Sequence, residues 1–150
     1  MSGAWERTHR RHHLVHTVLD EVVRTGRPEV PVVLRADVDT EFGDFGGFLR
    51  EVQRRWYRAF DARLDGLLES PPADPPAAAR LLWQELAGDL AGTRLLLDGH
   101  AEHPALAEFE AWHRRALAEV VGCDEAELRG ERRAAARSAT CWWRRATATA

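Results

Sequence analysis

The stretch DFGGFLREVQRRWYRAFDARLDGLLES, residues 44–70, decides the fold. In it Phe45, Phe48, Leu49, Val52, Trp56, Phe60, Leu64, Leu67 and Leu68 recur every three or four residues, which is one continuous apolar face of an amphipathic helix. A helix of 27 residues is roughly 40 Å long, enough for three other apolar stripes to lean on it. Asp44 stands where an N-cap belongs, and Pro71-Pro72 ends the helix.

Three further stripes flank this spine. Residues 4–25 carry Trp5, Thr8, His12, Val15, Leu19 and Val22, broadened by Val18 and Val23, and Gly26 follows as a C-terminal cap. Asp74 followed by Pro75-Pro76 opens a third helix expected to run to Asp98 through Leu82, Trp83, Leu86, Leu90 and Leu96. Within it Gly88 and Gly92 make a smooth patch that another helix can approach closely. Pro104 opens a fourth, ending before Gly122, with Leu106, Phe109, Trp112, Ala116, Leu117 and Val120 expected to face inward. Each helix supplies one tryptophan, Trp5, Trp56, Trp83 and Trp112, and all four read as core anchors.

The resulting expectation is an all-α fold, a four-helix antiparallel bundle with a long connection between the first two helices. Residues 27–43 form that connection, irregular apart from one turn at Asp37–Phe42 that buries Val38 and Phe42. Asp124-Glu-Ala-Glu127 starts a marginal fifth helix through Arg137. The domain reading is a helical bundle over 1–137 and a disordered tail over 138–150. Short turns set helices 2, 3 and 4 alternately, and the long connection is expected to double back, setting helix 1 antiparallel to helix 2, which places His9, His13 and His16 more than roughly 20 Å from His100.

Composition narrows the function classes. A chain of 150 residues buries enough surface to need neither disulfide nor metal. All 21 basic residues are arginine, and Lys, Ile and Asn are absent, a bias that a GC-rich bacterial genome explains more simply than chemistry does. Residues 1–128 hold 15 Arg against 23 Asp and Glu, whereas residues 129–150 hold six Arg against Glu131. An acidic body is the reverse of a nucleic-acid surface, so no nucleic-acid partner is expected. Apolar runs such as Val32–Leu34 and Leu95–Leu97 are too short to span a bilayer, and the polar start lacks a signal-peptide core. No membrane partner is expected, and a cytoplasmic location with Cys123 and Cys141 as reduced thiols is.

Chemistry-bearing patterns are few. His9, His13 and His16 share a face of the first helix, and an i, i+4 histidine pair grips transition metals, so these three are the candidate ligands for Zn, Ni or Fe. Glu6-x-x-His9 and Glu110-x-x-His113 match the repeated element of di-iron bundles, with Glu51 and Glu85 as the nearest lone acids. Asp37, Asp39, Glu41 and Asp44 alternate like a calcium loop, but Phe42 and Phe48 stand where its Gly and Glu belong. Arg50, Arg54 and Arg58 form an anion-sized row that Asp61 and Asp65 are expected to neutralise. No nucleophile-and-base pair or phosphate loop is present. The sequence thus points away from an enzyme and toward a binding or assembly module working through a protein partner or self-association, with no resident cofactor. A metal-binding bundle on the first-helix histidines and a small-ligand-binding bundle are the alternatives.

Overall fold

A computed structural model describes residues 2–123 and 125–129. The chain is all-α: α1 spans Ser2–Thr25, α2 Arg35–Phe42, α3 Phe45–Leu68, α4 Pro75–Asp89, α5 Ala91–Gly99, α6 Pro104–Val121 and α7 Glu125–Leu128, with a 3-10 turn at Val32–Leu34. No helix among the described residues is long and apolar enough to cross a membrane. The expected tail, 138–150, and the fifth helix beyond residue 129 lie outside the described residues.

The helix ends follow from local chemistry. Asp44 Oδ1 accepts from the Gly47 amide at 2.6 Å and Asp74 Oδ1 from the Ala77 amide at 2.9 Å, each satisfying one of the first orphan N–H groups. Gly122, in the left-handed region at φ 74°, closes α6 by donating its N–H to the Ala118 carbonyl.

The spine is α3. Phe48, Leu49, Val52, Trp56, Phe60 and Leu64 are buried along its length, and Trp83 of α4 meets Trp56 and Phe60 edge to face at 5.0 and 5.2 Å. Phe45 meets His100 while Arg94 stacks on Trp56, so α5 runs against α3. Gly46 touches Ala105, Tyr57 touches Phe109 and His113 touches Asp61, so α6 runs with α3. Gly92 lies on the Leu19 carbonyl and Gly99 on the Pro28 ring, so α1 and α5 advance side by side in the same sense.

Four expectations need correction. The third helix is two, because Leu90 leaves helical geometry at φ −114°, ψ 46° and separates α4 from α5. Gly88 and Gly92 weaken the helix on either side, and the break lets α5 lie directly on α1. The 27–43 connection is more ordered than expected: it holds the 3-10 turn and a two-turn helix, α2, that buries Val38 and leaves Phe42 half-buried. Trp5 and Trp112 are 69% and 55% exposed, so of the four tryptophans expected as anchors Trp56 and Trp83 are the two in the core. Trp5, Thr8 and His12 belong to the part of α1 before Leu14, which overhangs the core. On α6 the inward face is turned by part of a turn: His113 and Val121 are buried with Leu106 and Leu117, while Trp112 and Val120 face outward.

Candidate functional site

Helix α1 packs on α5 and stands off from α3, which leaves a groove of about 810 Å³ along the seam. Its walls carry His12, His16 and Asp20 from α1 and Glu51, Arg55 and Arg58 from α3, and residues 88–93, around the α4–α5 break, line it too. Glu51 accepts from Arg55 Nε at 3.0 Å, an i, i+4 pair within α3. His12 and His16 lie one turn apart with their Nε2 atoms 3.2 Å from each other and their rings tilted by 46°. Packing beside the groove, then the neighbouring His16 and Arg55, lower the His12 pKa below the ordinary histidine value.

The three histidines singled out by the sequence do not come together in this way. His9 is stacked on Trp5 at 5.3 Å, the ring planes nearly parallel. His13 turns to the other side of α1, where with Arg10, Leu14 and Thr17 it lines a cleft against Asp37 and Glu41 of α2. His16 alone of the three enters a histidine pair, and its partner is His12. The sequence signal for that pair was the plain i, i+4 spacing, which His9–His13 shares. Among the described residues no group of three or more His, Cys, Asp and Glu side chains converges on a point that could hold a metal.

The other patterns are dispersed by the fold. Glu110 pairs with Arg114 and Arg129, and Glu51 with Arg55, so two of the four acids of the di-iron pattern are directed to arginines. Asp37, Asp39 and Glu41 ride on the helix α2 instead of circling a loop, Glu41 binds Arg10 at 3.0 Å, and Asp44 serves as a cap. Asp61 does not neutralise the Arg50, Arg54, Arg58 row, because its carboxylate is turned to α6.

That contact is the residue pair sequence reasoning missed. His113, 2% exposed, donates from Nε2 to Asp61 Oδ1 at 2.9 Å, and its ring lies 3.8 Å from that of Tyr57. Gln53, also buried, donates to the Leu106 carbonyl at 3.1 Å. Two buried polar links therefore join α3 to α6 at fixed points, and sliding the helices would leave both unsatisfied.

Outside this seam α6 presents an apolar row to solvent. Phe109 and Ala116 are half-buried, and Trp112 and Val120 are 55% and 57% exposed. Trp112 leans on Phe109 at 5.6 Å, so the indole is held as part of a continuous face. Arg115 and Glu119 border the row, and neither makes an ion pair among the described residues. Compared with known proteins, the chain matches no family model, no curated protein and no solved structure.

Proposed function

We propose that this protein is a small assembly module in which α6 docks on α6 of a second copy, and that it works by contact and not by catalysis. The architecture proposed to carry the surface is a four-helix bundle whose members, α4 and α5 counting as one, run antiparallel in chain order, while the side-by-side pairs α1–α5 and α3–α6 run in the same sense. One observation carries the reading: Trp112 and Val120 lie exposed on a helix whose polar His113 is the residue turned inward. A large aromatic left in water beside an aliphatic residue on the same face is the composition of an interface centre.

A second copy is the occupant that the charges favour. The spacing 109, 112, 116, 120 is three, four and four, which two antiparallel helices can share about a two-fold axis near Ala116. Such an axis sets Trp112 against Val120 of the second copy and Arg115 beside Glu119 of the second copy, twice over. The row covers about 16 Å of helix, well short of the ~800 Å² per partner of a stable interface. Association is therefore expected to be weak and concentration-dependent.

Charge exchange tests this pairing. Arg115→Glu alone and Glu119→Arg alone should each weaken the dimer seen by sedimentation velocity, and the double exchange should restore it. Restoration supports the two-fold arrangement. A double variant no better than the singles overturns it.

A further inference from the structure

The geometry points to His12 and His16 as a two-histidine clamp for a divalent first-row transition metal at the mouth of the α1–α3 groove. The inference is independent of the α6 surface and rests on where two nitrogen atoms lie. Their Nε2 atoms are 3.2 Å apart while the ring centroids are 4.3 Å apart, so the rings approach each other at their ligating edges. With metal–nitrogen bonds of about 2.05 Å, that separation subtends an angle of roughly 100° at a common ion, between octahedral and tetrahedral values. Without an ion the same contact needs one Nε2–H donating to the other's lone pair. Binding shifts that proton from Nε2 to Nδ1 of its own ring, so that both rings become neutral Nδ1–H tautomers with both Nε2 lone pairs on the ion and no proton is released.

The backbone presets the clamp. Residues 12 and 16 sit one helical turn apart in the middle of a 24-residue helix whose next residues, Leu14, Val15 and Val18, are buried. His16 is therefore carried on the part of α1 that the core holds in place and His12 on the overhang within one helical turn of it, while both rings remain exposed to solvent. The groups that face the pair are mixed in sign. His9 and His13 lie on the same helix, Arg55 and Glu51 on the facing α3 wall are tied to each other, and Asp20, Arg58 and Asp89 line the groove further along. With two protein nitrogens the remaining positions on the ion belong to water, so ions that accept imidazole and keep labile water, Zn²⁺, Ni²⁺ and Cu²⁺, are the class that fits.

The competing pair on this helix is His9–His13, and the test separates the two. Zn²⁺ is titrated into the full chain and binding is read by calorimetry and by the ¹⁵N shifts of the imidazole nitrogens. The expected result is one ion per chain, with the Nε2 resonances of His12 and His16 moving together. His12→Ala and His16→Ala should each weaken binding by at least about tenfold, because either leaves a single ligand. His9→Ala and His13→Ala should leave it unchanged. All four positions are exposed, and helical circular dichroism checks that each variant is folded. Loss of binding in the His9 or His13 variants with retention in the others overturns the assignment, and so does an absence of Zn²⁺ binding to the unsubstituted chain.

Discussion

Adding one methyl group at Gly92 should push α1 off α5, and adding the same group at Gly88 should do nothing of the kind. A Cβ at position 92 would stand 2.6 Å from the Leu19 carbonyl oxygen and 2.9 Å from a Val23 methyl. The first of these is helical backbone and cannot turn aside, so relief requires α1 to retreat by about 0.8 Å, an overpacking penalty of about 1–3 kcal/mol. At Gly88 nothing lies within 4 Å of the added carbon. Both substitutions gain up to about 1 kcal/mol of helix propensity, so that gain largely cancels between the two variants and their difference isolates the clash. Gly92→Ala should therefore be less stable than Gly88→Ala by about 1–3 kcal/mol, or roughly 2–10 °C in melting temperature for a chain of this size. Urea unfolding followed by circular dichroism at low protein concentration measures the difference. Equal stabilities would refute the close approach of α1 to α5, and with it the reason given for the helix break at Leu90.

Two further substitutions probe the core and the α3–α6 seam. Trp56→Ala should cost about 3–5 kcal/mol, since the side chain is fully buried, meets Trp83 edge to face and carries the Arg94 guanidinium 4.8 Å from its ring; a loss below 1 kcal/mol in a denaturant melt would remove it from the core. Asp61→Ala should cost about 1–3 kcal/mol although Asp61 itself is half exposed, because it leaves the buried His113 Nε2–H without its acceptor; hydrogen exchange should then rise along α6, and an unchanged melt would mean that water or another group serves His113 equally well.

Features fixed within a turn of the chain were legible in the sequence. Asp44, Asp74 and Gly122 act as caps because the groups they satisfy lie within four residues of them. The spine was legible because its stripe runs unbroken from Phe45 to Leu68. Features decided by a distant partner were not. The break at Leu90 answers to Leu19 and Val23 on α1, far away in sequence. On α6 two apolar faces overlap at helical spacing, one through Leu106 and Leu117 and one through Phe109, Trp112 and Val120, and periodicity alone cannot rank them. Asp61, 52 residues from His113, decides it by drawing that histidine inward. Among the α1 histidines, the sequence pattern made His9, His13 and His16 the ligand candidates and put His12 on the core-facing stripe; the stacking of His9 on Trp5 and the turn of His13 toward α2 leave His12 and His16 as the pair that meets.

The exposed row on α6 is the claim on which the functional reading stands, and sedimentation equilibrium of the full chain tests it most directly when the unsubstituted protein and Trp112→Glu are compared over the same concentration series. The account predicts a reversible monomer–dimer equilibrium for the unsubstituted chain that Trp112→Glu abolishes without changing its helical circular dichroism, because a carboxylate would be buried against Val120 of the second copy. A chain that stays monomeric throughout, or a dimer that Trp112→Glu leaves intact, would contradict it.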